Sequence, residues 1–213
     1  MKKPQIFRVA VTLLLPLAIA CKGKSDTGMT AVAETSQSMN SMATMAGMDA
    51  PVTIPPGAIY TAADVHFMQG MIAHHAQAIY MSRLATTRSL DGHLLKLAQK
   101  IDQSQRAEIK LMQGWLIAHN QTAPDTNSYK TMMMRGMLNA AQLKELEDTK
   151  GDAFNKAYLT FMIQHHEGAL AMVDDLLASP LAAQDVDISV FANDVQIVQS
   201  AEIAKMQQLL ADL

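Results

Sequence analysis

The residues most able to do chemistry in this sequence are two pairs of adjacent histidines, His74-His75 and His165-His166. Methionines stand three residues before and seven residues after the first histidine of each pair: Met71, Met81, Met162 and Met172. Imidazole nitrogen and thioether sulfur together suit Cu(I) or Ag(I), and imidazole also accepts Cu(II). The pattern therefore predicts that these side chains bind a metal ion. Copper is the favoured metal, as Cu(I) before Cu(II), and silver is the alternative.

Helical spacing would place the first histidine of each pair on one face with its two methionines, because residues three, four and seven apart share a face. The second histidine points about 100° away. We expect one histidine of each pair to bind metal and the other to bond to Glu108, Glu202 or a backbone carbonyl, since an unpaired buried carboxylate is costly. The spacing leaves open which histidine takes which role. Met112 and Met206, one turn beyond these glutamates, are secondary candidates.

Less specific interpretations stay open at this stage. The paired histidines could form only a structural hydrogen-bond network, and methionine at helical spacing usually fills a core. Four further methionines fit either core packing or exposed positions: Met132, Met133, Met134 and Met137. His93 and His119 are expected at the surface. Recurrence of the doublets in register, with the same flanking methionines, is what favours a metal site.

The elements that must position these residues are repeated in the chain. At an offset of 91 residues, Phe67, Met71, Ile72, His74, His75, Ala78 and Met81 correspond to Tyr158, Met162, Ile163, His165, His166, Ala169 and Met172. Further along, Gln105, Glu108, Ile109 and Met112 match Gln199, Glu202, Ile203 and Met206. Each copy is a helical hairpin whose apolar face needs a second layer, so we predict a four-helix bundle with approximate two-fold symmetry.

The local pattern predicts an all-α fold, since no segment alternates convincingly at period two. Thr61 and Asp64 resemble a capping box that opens the first helix, and Leu90-Asp91 opens a second that continues to about His119. A short helix capped by Asn139 is expected through Leu146, with Gly151 marking its end. The last two helices are expected over about residues 152–178 and 189–213, separated by a break at Ser179-Pro180.

The first 20 residues read as a signal peptide. Basic residues precede a short apolar stretch, and a small-residue cleavage signal follows at residues 18–20. Cys21 comes next, as in the lipobox of bacterial lipoproteins, so we expect this cysteine to carry a lipid that holds the exported protein at the periplasmic or outer face of the cell envelope. The alternative is ordinary cleavage that leaves a free thiol.

Residues 21–57 are expected to be a disordered linker, because serine, threonine, alanine and proline dominate there and cannot build a core. Methionine nevertheless recurs at every third position: Met39, Met42, Met45 and Met48. Thioethers without a core to fill suggest a weaker capture arm for a soft metal. The alternative is chance enrichment in a low-complexity tail. Residues 58–213 then form the four-helix domain.

Composition excludes several classes of protein. The chain has 213 residues, 49% of them hydrophobic and 17% charged, which leaves enough apolar material for a core. Its formal net charge of −3 gives no sign of nucleic-acid binding. A single cysteine excludes an intramolecular disulfide and a cysteine-cluster metal site.

Several ordered motifs resemble a bacterial exported family known as domain of unknown function 305. The segments that carry the resemblance are Asp64-x-x-Phe67, Met71-Ile72-x-His74-His75, Gln105-x-x-Glu108-Ile109, Met134-Arg135-Gly136-Met137-Leu138 and Met162-Ile163-x-His165-His166-Glu167-Gly168. The resemblance spans about residues 60–213. It implies a ferritin-like four-helix bundle, and it implies copper binding in the periplasm, since some members of the family bind copper there.

The function expected from the sequence is extracytoplasmic sequestration or delivery of copper, with another copper-handling protein as a candidate partner. A carboxylate-bridged di-metal oxidase on a ferritin-like fold is the first alternative, but Met71 and Met162 stand where its Glu-x-x-His motifs would need glutamate. A cell-envelope adaptor without metal is the second. No common catalytic motif is present, so we expect binding rather than catalysis.

Overall fold

The structure, a computed structural model, describes residues 52–213. Within these residues the chain forms five α-helices and no β-strand. The helices are α1 (Ala62–Arg88), α2 (Gly92–Ala118), α3 (Ala140–Asp148), α4 (Gly151–Ala178) and α5 (Val186–Ala211). The predicted all-α bundle is therefore confirmed. Several predicted features lie outside the described residues: the signal peptide, Cys21 and the tail methionines Met39, Met42, Met45 and Met48.

Side-chain caps explain where the helices begin. Thr61 and Asp64 form the predicted capping box, and the Asp91 carboxylate accepts two backbone N–H bonds at the start of α2. Asn139 and Gln142 form a second capping box at the start of α3. Each cap satisfies N–H groups that the first turn of a helix leaves without intrahelical partners.

Two predicted helix boundaries are wrong. Gly151 does not end the short helix; it is the first residue of α4, and Thr149 closes α3. The last helix begins at Val186 rather than near Ser189, because the Asp185 side chain accepts from the N–H groups of Asp187 and Ile188.

The helices form two antiparallel hairpins that meet along one pair of helices. α1 packs against α2, α4 packs against α5, and α1 also packs against α4. The Ser82 and Tyr158 hydroxyls lie 3.0 Å apart across the α1–α4 contact, and Asp64 accepts from the Ala183 N–H in the loop between α4 and α5. The short α3 lies against α1 and α4.

The core contains two buried apolar clusters. The first includes Met68, Met71, Trp115 and Phe191, and the second includes Met81, Ile101, Phe154 and Tyr158. In the described part of the chain, none of the helices has the length and apolar character needed to cross a membrane.

Candidate metal centre

The two histidine pairs meet where α1 packs against α4. The ring centroids of His74 and His165 are 3.7 Å apart, with the ring planes tilted by 41°. All four histidines are completely buried. Residues separated by 91 positions in the sequence thus form one cluster in the centre of the bundle, which is the convergence that the repeat predicted.

The second histidine of each pair, His75 or His166, bonds to a glutamate of its own hairpin. We call these two the outer histidines, and His74 and His165 the inner histidines. His75 Nε2 lies 2.6 Å from Glu108 Oε2, and His166 Nε2 lies 2.9 Å from Glu202 Oε2. Because a carboxylate accepts, Nε2 of each ring is the donor, and in a neutral ring Nδ1 then carries the lone pair. The expected pairing of Glu108 and Glu202 with histidine is present, and it falls on the second histidine of each doublet.

The two carboxylates differ in their surroundings. The side chain of Glu202 is 3% exposed and also lies 3.4 Å from Lys100 Nζ, whereas that of Glu108 is 27% exposed. Burial pushes the pKa of Glu202 upward, but the hydrogen bond and charge of His166, together with Lys100, bring the pKa below its ordinary value. Glu202 is therefore held as a carboxylate within the core.

The inner histidines are not equivalent either. His74 Nε2 lies 3.0 Å from the carbonyl oxygen of Arg135, and this contact fixes Nε2 as the protonated nitrogen. Arg135 belongs to the segment of residues 132–138 between the hairpins, which we call the connector. Among residues 52–213, neither ring nitrogen of His165 has a hydrogen-bond partner.

Small residues and one glutamine position the connector. A Cβ atom on Gly168 would lie 2.2 Å from the Arg135 carbonyl oxygen, so only glycine allows the backbones to approach this closely. Gly136, at φ +75°, faces Gly168 from the other side. Gln77 makes two hydrogen bonds to the backbone of Leu138. Its amide oxygen accepts from the Leu138 N–H at 2.7 Å, and its amide nitrogen donates to the Leu138 carbonyl at 3.0 Å.

The centre contains ring nitrogens that bond to no group in residues 52–213. Nδ1 is buried without a hydrogen-bond partner in His74, His75, His165 and His166. Burial lowers the pKa of His74 to about 3, and the neighbouring His75 contributes to the same direction. Burial and the other three histidines also lower the pKa of His165. Both inner rings are thus neutral at ordinary pH, the form that binds metal.

The methionines predicted as ligands are divided between the two buried apolar clusters. Met71, Met112 and Met172 belong to the first buried cluster, and Met81, Met162 and Met206 belong to the second. Of these six methionines, each cluster holds two from one hairpin and one from the other. All six methionines predicted as ligands in the folded domain are buried. Four of them lie on α1 and α4, and the other two lie on α2 and α5.

Nitrogen and oxygen ligands alone do not form a site here. Among residues 52–213, no group of three or more His, Cys, Asp or Glu side chains is placed to hold a metal ion. The unpartnered imidazoles can therefore form a metal site only together with thioether ligands, which is the donor set that the sequence pattern predicted. That Met71, His74, His75, Met81, Met162, His165, His166 and Met172 bind metal stays a prediction.

The remaining histidines and methionines considered in the sequence analysis are not part of the histidine cluster. His93 is exposed, and the half-buried His119 stacks on Trp115 with a centroid distance of 4.2 Å. Met133 is exposed, whereas Met132, Met134 and Met137 are buried. Sequence reasoning missed the roles of Arg135 and Gln77. Only Gln77 had a signal in the repeat, because Gly168 occupies the position that Gln77 holds in the first copy.

Comparisons with known proteins agree with this architecture. The sequence model of one family, domain of unknown function DUF305, matches residues 64–210. A DUF305 protein of Streptomyces coelicolor, described as secreted, is 29% identical with a TM-score of 0.63, over 70% of this chain and 93% of that one. A DUF305 fragment from Deinococcus radiodurans is 27% identical with a TM-score of 0.63, over 72% and 99%.

A third similar protein has been solved with metals bound. CopM in its Cu(II)-bound form is 26% identical to this chain, with a TM-score of 0.57, over 70% of this chain and 96% of CopM. Its Cu(I)-bound and Ag-bound forms match with TM-scores of 0.56. None of the curated proteins searched is similar enough to match.

Proposed function

We propose that this chain, which belongs to the DUF305 family, binds copper at the centre of its bundle. Silver would bind there as a substitute for copper. CopM, which shares the fold, has been solved with Cu(II), with Cu(I) and with Ag bound. The proposal brings that chemistry to this chain because imidazole and thioether side chains, which suit these ions, are buried together in its core.

One observation carries the proposal: four completely buried histidines each keep an unpartnered Nδ1. Leaving a buried polar atom unpaired normally costs stability, so four such atoms in one cluster require a reason. A metal ion provides it. The Glu108 and Glu202 carboxylates would orient the outer rings and make them better donors, as carboxylates commonly do for metal-bound histidine.

The flanking thioethers favour a soft ion. Sulfur ligands select Cu(I) and Ag(I), while the imidazoles can also hold Cu(II). We therefore propose Cu(I) as the main cargo, bound by imidazoles of this cluster, His74 and His165 among them, with thioethers of the adjacent buried clusters.

We propose a binding role rather than catalysis. An oxidase of the di-iron type uses several carboxylates as bridging ligands. Here both candidate carboxylates, Glu108 and Glu202, already accept a histidine hydrogen bond. If the isolated protein contained iron and showed the absorption band of a bridged pair of iron ions, that result would instead support the oxidase.

We further propose that the protein is exported and works in the periplasm or at the outer face of the cell envelope. The signal-like first 20 residues support export, and Cys21 supports a lipid anchor. The tail methionines Met39, Met42, Met45 and Met48 would capture copper and pass it to the folded domain or to another copper-handling protein.

Anaerobic titration of Cu(I) against a competing chelator tests the proposal. The change is replacement of His74, His75, His165 and His166 by alanine in the full-length chain. We expect the affinity of the folded domain to fall by at least about tenfold, because the imidazole ligands are gone and each decade corresponds to about 1.4 kcal/mol.

Two controls make the result specific. His93→Ala removes an exposed histidine and should leave affinity unchanged. Replacing the four tail methionines with leucine removes the capture arm and should leave the high-affinity component in place. Full stoichiometry and affinity in a folded variant without the four central histidines would show that the proposed site is wrong.

A further inference from the structure

The connector carries a concentration of methionine that the two-fold pattern does not require. Met132, Met133, Met134 and Met137 follow one another within six residues. Met133 is 52% exposed, and each other methionine of residues 52–213 is buried. The connector is also the segment whose Arg135 carbonyl holds His74. It therefore runs from the protein surface to the histidine cluster.

Gly70 creates space for one of these thioethers. A Cβ atom at Gly70 would lie 2.4 Å from Met134 Cε and 3.2 Å from Met134 Sδ, with Met172 Cε 3.5 Å away. Glycine in the middle of a helix is unfavourable, so its presence in α1 indicates a close approach. Here the approaching group is a thioether one turn from His74.

Met137 brings a third sulfur to the same region. Its Sδ atom accepts a hydrogen bond from the backbone N–H of Met134 at 3.2 Å. Met134, Met137 and Met172 all belong to the first buried cluster. A thioether sulfur keeps a second lone pair when it accepts one such bond, so this contact orients Met137 without consuming its donor capacity.

The second half of the molecule has no counterpart of this arrangement. The position equivalent to Gly70 is Phe161, a large side chain where the first copy has none. The connector passes only once, and the glycine at position 168 that admits it corresponds to Gln77. These methionines are therefore not a by-product of the repeat.

We propose that Met134, Met137 and Met172 form a thioether-only site for a soft monovalent ion, Cu(I) or Ag(I), reached from the surface through Met133. The inference rests on the proposed function, because it supplies the route by which an ion would enter the buried centre. Three thioethers without imidazole bind soft ions and reject hard ones, and they have no proton to lose. The ion would bind here before reaching His74 one turn away.

Silver binding to the full-length protein tests this site. The change is Met134→Leu with Met137→Leu, which keeps apolar volume and removes two sulfurs. We expect the variant to lose about one equivalent of Ag(I) and to fill the remaining sites more slowly in stopped-flow mixing, because the soft ligands on the route are gone. A His74→Ala, His165→Ala variant should retain that equivalent.

Matched controls separate loss of the site from general damage. Met68→Leu alters another fully buried methionine of the same cluster and should bind silver as the parent does. Gly70→Ala should lower silver binding without removing any sulfur, because the new methyl displaces Met134. Gly114→Ala in α2, which has nothing within 4 Å of the added Cβ, should have no effect.

The outcomes are distinct. If the leucine double variant binds as much silver as fast as the parent does, the thioether site is wrong, and the central histidine site stands or falls on its own alanine variants. If the parent binds no soft ion at all, the proposed function fails and this site fails with it.

Discussion

The two inner histidines share a position in the repeat but differ in how they are held. The Arg135 carbonyl fixes the tautomer and orientation of His74, whereas His165 bonds to nothing at either nitrogen. His165 can therefore present either ring nitrogen to an ion, while His74 can present only Nδ1. The difference comes from one carbonyl group that approaches one side of a symmetric pair.

The lowered pKa values of these two histidines predict how the stability of the metal-free protein depends on pH. The pKa of His74 is about 3 in the folded state, below the ordinary value of 6.5, and that of His165 is also lowered. Below about pH 6.5 the unfolded chain takes up protons that the folded chain refuses, so stability falls as pH falls. Each histidine contributes a slope of up to about 1.4 kcal/mol per pH unit.

Urea unfolding of the metal-free protein between about pH 7 and pH 5 measures this slope. In the His74→Ala, His165→Ala variant the slope should flatten, whereas the exposed His93 can be replaced without changing it. An unchanged slope in the double variant would contradict the buried neutral histidines.

At the scale of elements, the connector determines the asymmetry of the bundle. It is held by Gln77 through Leu138, by the Gly136–Gly168 contact and by the Gln164 amide, which donates to the Gly136 carbonyl at 3.1 Å. Its exposed Arg135 side chain pairs with Asp175 at 2.7 Å. These contacts fix a segment without regular structure against α4, which is why its carbonyl can orient a core histidine.

Gly168→Ala should therefore disturb the site without changing any ligand. The added methyl would lie 2.2 Å from the Arg135 oxygen and 2.5 Å from Gly136 Cα, and backbone atoms cannot move aside cheaply. We expect a loss of about 1–3 kcal/mol of unfolding free energy, as for other overpacked cores. Nitrogen NMR should also show that His74 loses its single tautomer.

Gly92→Ala serves as the matched control, because nothing lies within 4 Å of its added Cβ. A wild-type His74 spectrum in Gly168→Ala would show that the connector carbonyl does not set this tautomer.

Sequence alone predicts the helices well and the connector poorly, for physical reasons. Capping residues such as Thr61 and Asn139 act locally, so helix starts can be read from neighbouring residues. The pairing of Glu202 with His166 follows from the cost of an unpaired buried carboxylate. A backbone carbonyl has no sequence signature, so the partner of His74 could not be predicted. The same holds for the packing of Met172 with the other hairpin, which depends on how α1 and α4 cross.

At the scale of the whole molecule, the histidine cluster joins two hairpins that otherwise meet mainly through α1 and α4. An ion bound by His74 and His165 would connect them directly. An ion that binds the folded state more tightly than the unfolded chain stabilises the fold, by up to about 2.7 kcal/mol at a free concentration of 100 times Kd.

The melting temperature with and without Ag(I) measures this coupling. We expect a clear rise for the parent and a smaller one for the His74→Ala, His165→Ala variant, while thioether ligands alone account for any remainder. An equal rise in both proteins would mean that silver does not bridge the hairpins through histidine.

The chain has a single tryptophan, Trp115, near the end of α2. Its indole N–H donates to Asp185 at the start of α5, and its ring packs edge-on against Tyr60 before α1, with a centroid distance of 5.2 Å. The indole thus touches both hairpins and the segment that leads into them. Its fluorescence is consequently a built-in optical probe: separation of the hairpins should shift the emission to longer wavelength without any attached dye.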